Sequence, residues 1–274
     1  MTNRVRGVTL IEMIVVIAIT GIIAAAVAMF IRRPVEGYVD AVRRAELSDI
    51  ADTALRRMTR DLRTALPNSI RITESPGGSG IFYLEYLQTS GGARYRAELD
   101  SGGLGDILDF AAVDTSFDVI GPMPVLAGGE SAVVYNLSSS GSTANAYSGD
   151  NRAEIDVPAS AGKIVLQLPG KQFPFASPGK RFQVVQYPVT YECNPTAGAQ
   201  TLRRYWGYAI AAAQPTAAGL GGASNALLAT NVTGCAFTYN ELTQRSGLVK
   251  LILQVSRDNE TVRLFQEAHI NNVP

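Results

Sequence analysis

The sequence has little of the material from which acid–base and metal sites are made. Its 274 residues include one histidine, His269, and two cysteines, Cys193 and Cys235. Histidine is the usual general acid or base near neutral pH and a common metal ligand. The two cysteines lack the C-x-x-C spacing of redox pairs, and with one distant histidine they cannot complete a structural zinc site. We therefore expect no catalytic residue, cofactor or metal, and we interpret His269 as a strand residue.

Charge of one sign is also missing. The 24 basic and 24 acidic side chains give a net charge of zero, and the basic residues are scattered along the chain. Nucleic-acid binding proteins usually concentrate basic residues on one surface, so no nucleic-acid partner is indicated. The glycine-rich passages 77–80, 102–105 and 219–222 lack the Lys-Ser/Thr spacing of phosphate-binding loops and are predicted to be ordinary loops. The stretch 137–150, rich in serine, glycine and asparagine, is predicted to be an exposed loop.

The longest apolar run lies near the N-terminus. Residues 8–31 carry one charge, Glu12, and a helix of this length rises roughly 36 Å, enough to cross a hydrocarbon core about 30 Å thick. A polar leader, residues 1–7, precedes the run. Basic residues flank both of its ends, so the positive-inside rule does not decide the orientation. The run predicts a membrane-spanning helix.

Two simple explanations of this segment compete. The sequence Ala26-Val27-Ala28 offers a signal-peptidase site before Met29, although the apolar stretch is longer than that of an ordinary secretory signal. The other explanation is a plain membrane anchor. Glu12 counts against it, because a carboxylate inside a spanning helix costs on the order of 3 kcal/mol on insertion scales.

The residues around the leader give a third explanation. The sequence RGVTLIEMIVV, residues 6–16, resembles the class III leader of type IV prepilins and type II secretion pseudopilins. The resemblance implies that a prepilin peptidase cuts between Gly7 and Val8, that the new amine of Val8 is methylated, and that Glu12 becomes the fifth mature residue. Phenylalanine is commonest in that family at the position that Val8 holds.

The expected cut also gives Glu12 a charge partner. It creates an ammonium group at Val8, four residues before Glu12, so the two charges can pair on one helical face or between neighbouring subunits. A paired carboxylate among apolar helices can fix the register of an incoming subunit, whereas an unpaired one is costly. We therefore interpret Glu12 as an assembly residue. The alternative is that its side chain reaches the membrane surface.

A second helical segment is predicted over residues 32–67. Gly21 weakens the preceding span and Pro34 removes a helical hydrogen bond, so both are predicted sites of kinking or melting. Apolar residues then recur at helical spacing, which predicts one buried face that ends at Pro67. These residues are Val35, Val39, Val42, Leu47, Ile50, Ala54, Met58, Leu62 and Leu66. The pairs Asp52/Arg56 and Arg57/Asp61 are interpreted as a solvated face, with a membrane-surface helix as the alternative.

From residue 68 to residue 274 the pattern is that of a β-rich domain. Short strand-like runs at 81–88, 132–135, 163–168 and 182–191 stand between turn residues, and 248–256 with 261–270 predict a hairpin in which alternate residues from Val249 to Val255 point inward. A long helix followed by antiparallel strands predicts an α+β fold, with the second half of the helix packed on the sheet. If this part is exported, Cys193 and Cys235 are expected to form a disulfide worth about 4 kcal/mol.

Two further stretches resemble one particular group of minor pilins. Residues 57–69 and 269–274 are similar to the MshO-type minor pilins of the mannose-sensitive haemagglutinin (MSHA) pilus. That similarity implies a non-enzymatic subunit with one inner-membrane pass and a periplasmic domain, which primes or caps a pilus and ends at or near its tip. The implied partners are prepilin peptidase, the other minor pilins, the major pilin and the inner-membrane assembly platform. A type II secretion minor pseudopilin and a secreted binding module released after Ala28 are the rival interpretations.

Overall fold

A computed structural model describes residues 7–75, 78–141, 143–157, 162–243 and 246–274. One long helix followed by an antiparallel β-rich domain confirms the predicted α+β fold. The elements of this described part are α1 Leu10–Leu62, β1 Arg71–Glu74, β2 Phe82–Tyr95, β3 Ser116–Ile120, β4 Ser131–Val134, β5 Arg152–Glu154, β6 Lys163–Val165, β7 Arg181–Asn194, β8 Thr201–Trp206, a 3-10 turn Ala217–Leu220, β9 Ser224–Thr230, β10 Val232–Thr243, β11 Ser246–Arg257 and β12 Glu260–Asn271.

The strands form two antiparallel sheets. The larger sheet has the order β5-β4-β7-β2-β3-β6, with β1 added on β2 and with β8 and β9 added beyond β7. The smaller sheet has the order β10-β11-β12. Each of the four predicted strand runs overlaps a strand, although the run 163–168 is strand only over Lys163–Val165. Strand β2 extends well beyond the predicted 81–88 and β7 slightly beyond 182–191, because each continues past its apolar stretch as a partner of the other.

The predicted C-terminal hairpin is confirmed. Strands β11 and β12 pair from Ser246↔Asn271 to Arg257↔Glu260, which leaves Asp258 and Asn259 as a two-residue loop. Both loop residues have positive φ, 50° and 67°, as the tight turn that matches strand twist requires. The alternating residues Val249, Leu251, Leu253 and Val255 are fully buried.

The helix α1 has 53 residues and is about 80 Å long. It ends at Leu62 and not, as predicted, at Pro67. The amides of Thr64 and Ala65 bond back to the carbonyls of Asp61 and Leu62 at 2.9 and 3.2 Å, and the amide of Leu66 then bonds to the Leu87 carbonyl of β2 at 2.8 Å. The chain therefore leaves the helix and hydrogen-bonds to β2 before it reaches Pro67.

The predicted buried face of α1 is correct only from Leu47 onward. Leu47, Ala54, Met58 and Leu62 are almost fully buried against the β10-β11-β12 sheet and the adjoining part of the larger sheet. Ahead of them, Val35, Val39 and Val42 are exposed. The apolar side chains of α1 therefore pack on the domain from Leu47 onward. No described element covers the apolar side chains up to Val42.

The described residues of the stretch 137–150 form a loop, but this loop is only partly exposed. Its four residues from Ala144 to Tyr147 are buried, and the Tyr147 hydroxyl donates to the Ser69 carbonyl at 2.8 Å. The Asp150 carboxylate accepts from the amides of Ala144 and Asn145 at 2.5 and 2.8 Å. The polar composition therefore serves internal hydrogen bonds, and the predicted exposed loop is correct as a loop but wrong for the buried residues Ala144 to Tyr147.

Of the glycine-rich passages, 102–105 is a turn region as predicted. The passage 219–222 overlaps the short 3-10 turn Ala217–Leu220. In the passage 77–80, Gly77 lies outside the described residues. His269 is exposed on β12, which confirms its interpretation as a strand residue.

Candidate functional site

The N-terminal half of α1 is a surface without a cover. Every residue from Leu10 to Ile31 is exposed, although the segment is long and apolar enough to cross a membrane. Contiguous apolar surface of this extent marks a membrane or protein contact. The helix is consistent with a membrane anchor, and the hydrocarbon or neighbouring helices would supply the missing cover.

The predicted cleavage junction stands just outside this helix. Residues 1–6 of the predicted leader lie outside the described part of the chain. Gly7 and Val8 are exposed and non-helical, and α1 begins two residues later at Leu10. A Cβ atom added to Gly7 would meet no heavy atom within 4 Å. Packing within the described chain therefore does not require glycine at this position.

Thr9 begins the helix and brings Glu12 into its first turn. The Thr9 hydroxyl oxygen accepts from the Glu12 amide at 3.3 Å, and the Thr9 carbonyl accepts from the amides of Glu12 and Met13 at 3.1 and 3.2 Å. The spacing Thr-x-x-Glu is that of a capping box, a sequence signal that the interpretation of Glu12 had missed. The positive end of the helix dipole therefore stabilises the Glu12 carboxylate in addition to any ammonium formed at Val8.

The helix runs without interruption through the two predicted sites of kinking or melting. Gly21 and Pro34 both lie inside α1, and both are exposed. A Cβ atom at Gly21 would meet nothing within 4 Å, so the domain does not demand a glycine there. Loss of helicity at these residues upon assembly remains a prediction about the filament.

Ion pairs join the middle of α1 to the β11–β12 turn, and we call this region the neck. Arg44 donates to Glu260 at 3.0 Å, with 66% and 20% of their side chains exposed. The other pairs between the helix and the turn are Arg43 with Asp258 at 3.4 Å and Arg257 with Glu46. Within the helix, Arg43 also pairs with Asp40 at 3.2 Å. Exposed pairs contribute little individually, but together they define where the helix leaves the domain.

A charge swap tests the neck. Arg44→Glu or Glu260→Arg alone is expected to lower the free energy of unfolding by up to about 1 kcal/mol, because each places two like charges face to face. The double swap Arg44→Glu/Glu260→Arg is expected to recover most of this loss. Urea unfolding of the four proteins gives the coupling, and strictly additive losses would show that the pair is not formed in solution.

Asp61 connects the helix to the larger sheet. One carboxylate oxygen accepts from Arg57 at 3.0 Å, and the other accepts from Arg204 at 2.9 Å and from the Tyr191 hydroxyl at 2.7 Å. The side chains of Asp61 and Arg204 are only 12% and 9% exposed. Burial raises the pKa of Tyr191, so its hydroxyl remains protonated and donates. The interpretation of the Arg57/Asp61 pair as a solvated face therefore has to be corrected for Asp61.

A second buried carboxylate, Glu85, lies on β2. It accepts from Arg71 at 2.6 Å and from the Tyr208 hydroxyl at 3.1 Å, and the Arg71 guanidinium lies 3.6 Å from the centre of the Tyr147 ring. Burial raises the pKa of Glu85, while the hydrogen bonds from Arg71 and Tyr208 oppose the rise. Perturbed carboxylates often mark functional sites, but the Glu85 side chain is completely buried and closed to a substrate. This cluster attaches β1 and the Tyr147 loop to the sheet.

The predicted disulfide is present. Cys193 on β7 and Cys235 on β10 are joined, with their Cα atoms 6.5 Å apart. The bond links the larger sheet to the smaller one. Within the described residues, no group of three or more metal-ligating side chains comes together.

Residues 2–28 match the family model of the prokaryotic N-terminal methylation motif. The matched segment contains Gly7, Val8, Glu12 and Gly21, and it indicates a type IV pilin-like protein. The motif implies processing by prepilin peptidase and assembly with other pilins at a membrane. No curated protein and no solved structure matches the chain.

Proposed function

We propose that this protein is a minor subunit of an MSHA-like type IV pilus. It is cut between Gly7 and Val8, methylated on Val8, and held by one inner-membrane pass with its β-rich domain in the periplasm. It then joins other minor pilins, primes or caps the filament, and resides at or near the tip. Its role is structural and non-enzymatic.

The methylation motif at residues 2–28, placed on an uncovered apolar helix, carries this proposal. In a filament, helices of neighbouring subunits would cover the exposed apolar side chains between Leu10 and Val42. The neck and the Asp61 contacts hold the remainder of α1 to the domain, so a pull on the helix reaches the β-rich domain directly. The arrangement suits a subunit that is drawn out of the membrane by its helix and carries a folded head.

The mature N-terminus tests the proposal. We expect mass spectrometry of the protein from its native membrane to find a chain that begins at Val8 and carries one methyl group on its amine. Deletion of the prepilin peptidase should leave residues 1–7 attached to the chain. The variant Gly7→Val should also keep these residues when the peptidase is present. A mature chain that begins at Met29 would contradict the proposal and support a secreted binding module.

Assignment to the MSHA-like pilus, as opposed to a type II secretion pseudopilus, needs a separate measurement. The partners of the processed protein can be identified by photo-cross-linking in cells. A photoreactive amino acid would replace Tyr38, which is exposed on α1. We expect adducts with minor pilins of the pilus assembly system. Adducts confined to pseudopilins would assign the chain to the secretion system instead.

A further inference from the structure

Two arginines face each other on the exposed surface of the larger sheet. Arg94 on β2 and Arg181 on β7 are directly opposite in the antiparallel register, and both are exposed. Side chains in such a pair project from Cβ atoms about 5 Å apart, and like charges in that position repel. The arrangement is therefore unfavourable in the absence of a negative charge between them.

Neighbouring basic residues do have acidic partners. Arg96, just after the end of β2, pairs with Asp118 at 3.1 Å, and Lys180, next to Arg181, pairs with Glu98 at 2.9 Å. Within the described residues, no carboxylate oxygen lies within 4.0 Å of a nitrogen of Arg94 or Arg181. The nearby acids are thus already engaged, and the facing arginines lack a counter-charge from this part of the chain.

The two arginines line a cleft of about 430 Å³. Clefts that hold small molecules start at roughly 300 Å³, so this one can hold a single sugar-sized ligand. Gln183 supplies a polar group, and Ile120 and Pro122 supply an apolar side. Glycine at position 92 keeps the cleft open next to Gln183, because a Cβ atom there would lie 2.7 Å from the carbonyl oxygen of Phe182 and would overlap the Gln183 side chain.

We propose that this cleft binds a small organic acid of monosaccharide size through its carboxylate. The planar fork of an arginine matches a carboxylate with two parallel hydrogen bonds, and two facing guanidiniums can share one carboxylate between them. The bound negative charge removes the repulsion between the arginines. The apolar side and Gln183 then contact the uncharged body of the ligand. This inference does not depend on membership of a filament.

Isothermal titration calorimetry on the full chain in detergent tests the cleft, with D-glucuronate as the probe and D-glucose as the uncharged control. Salt is held at about 0.1 M, at which exposed charges farther apart than about 10 Å are largely screened. We expect saturable binding of glucuronate and none of glucose. Absence of saturable binding, or equal binding of glucose, would overturn the proposal.

Variants locate the binding. Arg94→Gln and Arg181→Gln are each expected to weaken glucuronate binding at least about tenfold, since each removes a charged hydrogen-bond pair. Arg263→Gln, which changes an exposed arginine on β12, is the matched control and should bind as the unmodified chain does. Equal weakening by all three changes, or no weakening by the first two, would contradict the assigned site.

Folding is checked with the same proteins. Relief of the repulsion means that Arg94→Gln and Arg181→Gln should melt no lower than the unmodified chain. Should either variant fold poorly, Arg94→Lys and Arg181→Lys keep the charge but lose the planar fork. These variants should fold and still bind glucuronate more weakly, and unchanged binding by both would refute the carboxylate fork.

Discussion

Replacement of Glu12 by valine is expected to leave removal of residues 1–7 largely intact and to reduce incorporation into filaments by at least about tenfold. The reduction follows because the ammonium at Val8 would then be buried among apolar helices without its carboxylate, and loss of one partner of a buried pair costs about 3 to 5 kcal/mol. The capping hydrogen bond uses the backbone amide of residue 12, so the helix should still begin at Leu10. Only the charge is lost.

The measurement compares the amount of the subunit in sheared filaments with the amount of processed subunit in the membrane. Glu36→Val is the matched control, because Glu36 is also an exposed acid on α1 but lies beyond the apolar span. Glu36→Val should assemble normally. Normal assembly of Glu12→Val would show that the charge pair is dispensable, and failure of its cleavage would move the role of Glu12 to the peptidase step.

The features that were predicted correctly are encoded locally. The hairpin could be predicted because four alternating apolar residues and a short polar turn lie within one stretch of chain. The apolar run that matches the methylation motif is equally local. The helix cap at Thr9 is encoded just as locally, since Thr9 and Glu12 are three residues apart and have the spacing of a capping box.

The features that were missed depend on residues far apart in the chain. Asp61 and Arg204 are separated by 143 positions in the chain. Asp61 also has a partner only four positions away, Arg57, so the sequence suggests an ordinary ion pair on the helix surface. Likewise, Arg94 and Arg181 are far apart in the chain and face each other only because β2 pairs with β7 in one particular register. A slip of one residue in that register would change which side chains share a face, and the sequence does not show the register.

The apolar face of α1 changes from exposed at Val42 to buried at Leu47, although the helical spacing of its apolar residues continues. Apolar periodicity predicts which face of a helix avoids water, but it does not say what covers that face. From Leu47 onward the cover is the domain itself, and up to Val42 no described element of the chain covers the apolar side chains. The neck pairs lie at this division, where the β11–β12 turn meets the helix.

The second large effect is expected at Asp61. Asp61→Ala should lower the free energy of unfolding by about 3 kcal/mol, because it leaves the nearly buried guanidinium of Arg204 without a counter-charge. Asp52→Ala is the matched control on the same helix. Its partner Arg56 is 73% exposed and Asp52 itself 43%, so this change should cost under about 1 kcal/mol.

Unfolding can be followed in denaturant through the single tryptophan, Trp206, whose ring centre lies 5.0 Å from the Arg204 guanidinium carbon. Equal midpoints for Asp61→Ala and Asp52→Ala would show that the Asp61 cluster is no stronger than a surface pair. The double variant Asp61→Leu/Arg204→Met removes both charges and should be more stable than Asp61→Ala, since the cost comes from the unpaired charge. If the double variant is instead the least stable, the cluster stabilises through hydrogen bonds to Tyr191 and Gln88 that apolar side chains cannot replace.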